Sequence, residues 1–178
     1  MKRSFRVAYG GLIVGLSIIC MFFTGVFPFA EYALPALDGI LLIALVFEFG
    51  FRAALIGYIA VSLLSLIITP NKEAAVLFVL FFGYYPIVKG KVETLKSVAV
   101  QWIVKELVFN VALVSSYLVL VYVLGMTEVM DDFSFMHGAI VLLWLRGNAV
   151  FVLYDIAVTR LVSFYVNRLK PRYFKRFQ

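Results

Sequence analysis

Five charged residues stand inside stretches that are otherwise apolar: Asp38, Lys105, Glu106, Arg146 and Asp155. A charge held in hydrocarbon costs at least ~2.5 kcal/mol on insertion scales, so such groups face the inside of a helix bundle and take partners there. Polar neighbours recur at helical spacing. Asn148, Asp155 and Thr159 share one face of a helix, and Glu106, Asn110 and Tyr117 share one face of another. Both stripes are expected to point inward. With each helix centred on the bilayer, a rise of about 1.5 Å per residue puts Asp38 roughly 3 Å and Arg146 roughly 4 to 5 Å toward the outside. Lys105 and Asp155 come out roughly 9 to 10 Å toward the inside by the same rise. Asn110 and Asn148 fall near the centre.

Those depths allow two kinds of role. Each charge can neutralise another and tie two helices together. Alternatively the outer group of Asp38, Asn110, Tyr117, Arg146 and Asn148 lines a pocket for a small solute, because the inner face of a small bundle seldom gathers so many costly groups without a ligand. An Arg146 in contact with solute would call for a carboxylate or phosphate on it. Lys105 with Asp155, nearer the inner interface, reads as a structural ion pair. Catalysis has the least support. There is no GxxxxGK[ST] for nucleotide, and His137 is the single histidine beside a single cysteine, Cys20, so no zinc motif is present and no metal or cofactor is expected. Ser62, Ser65, Ser115 and Ser116 lie in helical stretches without a histidine base, so the chain is not expected to be an enzyme.

The elements that position these residues follow from composition. Of 178 residues, 64% are hydrophobic and 15% charged, too apolar for a wholly water-exposed surface. At about 20 residues per crossing, the length fits six membrane-spanning helices and little else. They are expected at about 8–28, 31–49, 52–69, 74–89, 98–125 and 137–165, with Pro28 and Pro70 as stops and tight antiparallel connections near 29–31 and 49–52. The first stretch resembles a secretory signal but is too long and lacks a small-residue cleavage site, so it reads as a retained helix. In the fourth span, FFGYYP at 81–86 predicts a break, since Pro86 removes a backbone donor and restricts Tyr85.

Charge sets the orientation. Nine of the sixteen Lys and Arg residues lie near the termini: Lys2, Arg3, Arg6, Arg160, Arg168, Lys170, Arg172, Lys175 and Arg176. Such clusters beside apolar spans read as cytoplasmic anchors on anionic lipid and not as a nucleic-acid surface. With both termini inside, Arg52, Lys89, Lys91 and Lys96 also fall inside. Lys72 falls outside with Glu31, Glu73, Glu128, Asp131 and Asp132. An even number of spans satisfies this pattern. The expectation is an all-α, single-domain, six-helix bundle in the cell membrane, N-in and C-in.

In helix one, Gly11 and Gly15 have GxxxG spacing, with Ala8 and Gly10 nearby, which gives a flat surface for close helix packing within the chain or with a partner. With its size, six helices, two cytoplasmic termini, Gly11-xxx-Gly15 and the segment FPFAEYALPALDG at 27–39, the chain resembles the substrate-binding S components of energy-coupling factor (ECF) vitamin transporters. The resemblance covers most of the chain in architecture and is diffuse in sequence. It implies a bundle that captures a vitamin or related micronutrient from outside. Such a bundle docks through helix one on a transmembrane coupling subunit driven by two ATPases. Gly11 and Gly15 map to that docking surface by residue size. The alternative is a non-transporting membrane scaffold similar to the cell-shape proteins of the MreD type.

Overall fold

A computed structural model describes residues 3–125 and 139–169 of the chain. It divides into two compact units, Met1–Ser134 and Phe135–Gln178. All regular structure among the described residues is helical. In the first unit α1 spans Arg3–Phe23, α2 Ala33–Phe49, α3 Phe51–Ile68, α4 Lys72–Leu77, α5 Tyr85–Val92 and α6 Val98–Leu118. The second unit contains α7, Ala139–Phe164, which runs on into a π turn at Tyr165–Leu169. His137, Glu128, Asp131, Asp132 and the basic tail from Lys170 lie outside the described residues.

Among the described residues, five stretches are long and apolar enough to cross a bilayer: Ser4–Phe23, Phe51–Ile68, Lys72–Val92, Val98–Val123 and Trp144–Asn167. The 17-residue α2 lies between the first two. At about 1.5 Å per residue it is roughly 25 Å long, a little under the hydrocarbon thickness. The protein is therefore all-helical with five to six helices suited to a membrane. Apolar side chains also cover its outside: Leu12, Leu16 and Ile19 on α1, Ile56, Leu63 and Ile67 on α3, and Ile103, Leu107 and Val111 on α6 are all exposed. An outer surface of this kind is stable against lipid and unstable in water.

The first helix departs from the sequence expectation at both ends. It starts at Arg3 and stops at Phe23, five residues before Pro28. Thr24 turns back on it, its hydroxyl donating to the Met21 carbonyl at 2.7 Å. A short 3-10 turn at Pro28–Ala30 then leads into α2. Between α2 and α3 the chain reverses at a single residue, Gly50, with φ +87°, a conformation in which a side chain would be strained.

Helix α2 is the centre of the first unit. It packs on α1, α3 and α5 and buries Pro35, Asp38, Gly39, Leu42, Ile43 and Leu45. Because neighbours surround it, it shows no single apolar stripe. Ile13, Met21, Leu42, Leu45, Ala54, Val61, Ala75, Phe78 and Ile87 form the surrounding core.

The expected break in the fourth span is present and begins earlier than Pro86. Helix α4 widens into a π turn at Phe78–Phe82 before α5 restarts at Tyr85. Pro86 has no N–H to offer the Phe82 carbonyl four residues back, and that carbonyl lies against Gly39 of α2. A Cβ on Gly39 would be 1.9 Å from it. On the other flank the Tyr58 hydroxyl of α3 donates to the Val79 carbonyl at 2.6 Å. The π turn is thus held between α2 and α3 by backbone contacts on both sides.

The two ends of the first unit differ in charge. One end holds Arg6 over the Phe49 ring at 5.8 Å and Lys91 over the Phe51 ring at 3.4 Å, beside Lys89, Lys105 and Glu93. The other joins the α1–α2 and α3–α4 connections. Tyr32 donates to Glu73 at 2.9 Å, Asn71 donates to Glu31 at 3.2 Å, and the Asn71 side chain caps α4 through the Ala74 N–H at 3.0 Å. Burial and the Glu73 and Glu31 carboxylates push the Tyr32 hydroxyl above its ordinary pKa.

Candidate functional site

Buried residues recur on α1 at Ile13, Ser17 and Met21, with Thr24 just past its end, so one line of that helix faces the core. The line delivers Ser17 toward α2, where Asp38 is 0% exposed. Ser17 is the polar side chain acting on the Asp38 carboxyl, with Cys20 also within electrostatic reach. The approach does not meet hydrogen-bond geometry. Among the described residues neither Asp38 oxygen, nor the Ser17 hydroxyl, has a hydrogen-bond partner.

The next residue explains why α2 comes so close to the fourth span at this level: Gly39 has no side chain to hold off the Phe82 carbonyl. On α3, Gly57 lies against Leu45 and Leu42 of α2. Counting five residues along this antiparallel pair brings Ser62 to the level of Asp38. Ser62 is buried, and its hydroxyl also lacks a hydrogen bond among the described residues. A carboxylate and two hydroxyls are therefore buried at one level of the first unit with unmet hydrogen-bonding capacity. Burying such groups is costly unless something satisfies them.

The other residues expected at the site are placed differently. On α6 the buried line is Lys105, Ala112 and Ser116. Glu106, Asn110 and Tyr117 lie roughly 120° around the helix from it at 100° per residue and are half-buried. The Asn110 amide donates to the Glu106 carbonyl of its own helix at 2.9 Å. In the second unit α7 buries Phe151, Asp155 and Val158. Asn148 flanks that line and donates to the Trp144 carbonyl at 2.8 Å. Arg146 is exposed, roughly 150° around α7 from the buried line. Of the expected inward stripe of Asn148, Asp155 and Thr159, Asp155 is buried, while Arg146, also expected to face inward, lies on the opposite side of α7.

Lys105 has a partner that the sequence reading did not name. Its ammonium lies 2.8 Å from Glu93 Oε1, and the Lys89 ammonium lies 2.9 Å from the same oxygen. Both lysines are buried, at 4% and 3%. Burial alone would raise the Glu93 pKa, but hydrogen bonds and charge from Lys105 and Lys89 outweigh it and hold the carboxyl below its usual range. This clamp fastens the end of α5 to the start of α6. Lys89 and Glu93 are four apart, a spacing that pairs side chains along a helix. Ending the expected fourth helix at 89 hid that signal. Asp155, the partner expected for Lys105, belongs to the second unit.

Gly11 and Gly15 lie on the outer side of α1. A Cβ at either position, or at Gly10, would meet nothing within 4 Å among the described residues. The close packing for which GxxxG spacing is suited is therefore not used inside the first unit.

No protein family, curated protein or solved structure matches the chain.

Proposed function

We propose that this chain is the solute-capturing membrane subunit of an uptake transporter of the ECF type. It lies N-in and C-in, binds a micronutrient-sized solute at the level of Asp38, and docks through α1 on a separate coupling subunit energised by ATPases. The observation that carries the reading is Asp38, a carboxyl wholly buried at the centre of the bundle with no hydrogen-bond partner among the described residues. A helix tie would have a partner; a binding residue awaits one. The open glycine face of α1 supports docking, because that surface fits a close-packed helix and nothing in the first unit occupies it.

The orientation follows from the two ends. Arg6, Arg52, Lys89, Lys91 and Lys105 belong to one end and Glu31 and Glu73 to the other, and the positive end faces the cytoplasm. Asp38 is five residues beyond Ala33, at the start of α2. This places it nearer the acidic, outer end, as capture from outside requires.

The test is purification in mild detergent from the native membrane, with mass spectrometry of the small molecules and proteins that come along. A retained solute and an ATPase module are expected. Leucine at Gly11 and Gly15 should release the partner and keep the solute. A preparation that carries cell-wall assembly proteins and no small molecule would refute capture and favour the scaffold.

A further inference from the structure

We infer that the captured solute carries a positively charged nitrogen bearing N–H groups, a protonated amine or an amidinium, and that this group seats on Asp38. The inference rests on the capture reading above and goes further by fixing the chemistry of the solute's head.

A buried carboxylate needs a cation or several donors. The first unit supplies neither at this level. Arg6, Lys91, Lys89 and Lys105 belong to the basic end, where they meet Phe49, Phe51 and Glu93. Asp38 is eleven residues from Phe49 at that end of α2, roughly 16 Å along the axis. At the opposite end the Lys72 ammonium donates to the Leu66 and Ile67 carbonyls and closes α3. Arg146, which suggested an acidic group on the solute, occupies the exposed side of α7. A carboxylate or phosphate brought to Asp38 would instead add like charge.

The kind of cation follows from what is unsatisfied. Both Asp38 oxygens and the Ser17 hydroxyl lack partners among the described residues, and all can accept. An ammonium or amidinium offers two or more N–H donors to such a set. A quaternary ammonium offers none and prefers the faces of aromatic rings.

The experiment uses the full chain in detergent. The retained small molecule is identified by mass spectrometry, and solute-free protein is then offered five probes that share one ring: benzylamine, benzamidine, benzyltrimethylammonium, benzyl alcohol and benzoate. The retained solute should contain an amine or amidine. Benzylamine and benzamidine should raise the unfolding temperature while the other three do not. Asp38→Asn should weaken binding of the retained solute by roughly a hundredfold or more, the scale for losing one partner of a buried charge pair. Ser17→Ala should weaken it by roughly tenfold or less, the scale for one neutral hydrogen bond. A retained solute with no cationic nitrogen, or equal binding by Asp38→Asn, overturns the amine inference and leaves capture standing. If no small molecule is retained and no probe acts, capture itself falls and the inference falls with it.

Discussion

Replacing Asp38 by asparagine separates a binding role from a structural one through the sign of a stability change. The two side chains have the same shape, but asparagine cannot ionise. The wild-type carboxyl is wholly buried with no hydrogen-bond partner among the described residues. Leaving a buried polar group unpaired costs about 1–3 kcal/mol, and more when it is charged. The asparagine amide remains imperfectly satisfied, so it recovers only the part due to charge, about 1 kcal/mol or somewhat more. For a chain of this length that corresponds to a rise of about 2–4 °C in unfolding temperature per kcal/mol. The assay is thermal unfolding in detergent, followed through Trp102 and Trp144 or by circular dichroism, on protein stripped of small molecules. Asp38→Asn should unfold at a higher temperature than wild type while losing solute retention. With solute present the order should reverse, because only the wild type gains from ligand binding. A lower unfolding temperature for the solute-free variant would mean that Asp38 already has a structural partner, and the reasoning from its isolation would fail.

Two further outcomes follow from the packing. Gly39→Ala forces a Cβ to within 1.9 Å of the Phe82 carbonyl and should cost about 1–3 kcal/mol or more, as overpacking does, whereas Gly11→Ala meets nothing and should be neutral or gain up to about 1 kcal/mol from helix propensity; equal unfolding temperatures for the pair would contradict the close approach of α2 to the π turn. Glu93 is held below its ordinary pKa by Lys105 and Lys89, so its contribution to stability is full above the unfolded-state value and is lost as pH falls through the folded-state one. Its side chain is 38% exposed, which screens the clamp to about 1 kcal/mol; the loss of stability on acidification should be smaller in Glu93→Gln, and an unchanged pH profile would remove the clamp from the account.

Span positions were legible because hydropathy and length report them directly. The second and third helices fall within about two residues of expectation, the fifth starts at Val98 as expected and reaches Val123 through a π turn at Val119–Val123, and Pro70 follows the end of α3 as the sequence suggested. The end of α1 was not legible. Pro28 is a visible stop, but the chain had already turned at Thr24, beside a Gly25 that sits against Pro70 with no room for a Cβ. That contact joins residues 45 apart, so no local pattern encodes it. The same limit applied to the charges. Depth along a helix can be counted from its ends, and Asp38 was correctly expected to face inward. Rotation about the axis and choice of partner depend on how helices register against each other. Counting depth set Lys105 level with Asp155 but could not reveal Glu93 at 2.8 Å from Lys105, and it set Arg146 level with Asp38 without showing that Arg146 is exposed.

Helix α1 joins the two halves of the proposed function. Its core-facing line, through Ile13, Ser17 and Met21, ends in contact with the surroundings of Asp38. Gly11 and Gly15 lie roughly 140° around the helix from that line, at 100° per residue. Along the axis, however, Gly15 and Ser17 are only about 3 Å apart. A partner helix packed on the glycines would therefore touch the same turn whose inner side presents Ser17 to the proposed solute site, with no long chain of intermediates between them. The faces are far enough apart that bulk at Gly11 or Gly15 projects away from the core, where nothing stands within 4 Å among the described residues. Separable loss of docking and of solute binding follows from that geometry. Rotation of α1 on docking, by contrast, would carry Ser17 away from Asp38 and weaken the acceptor set proposed to hold an amine.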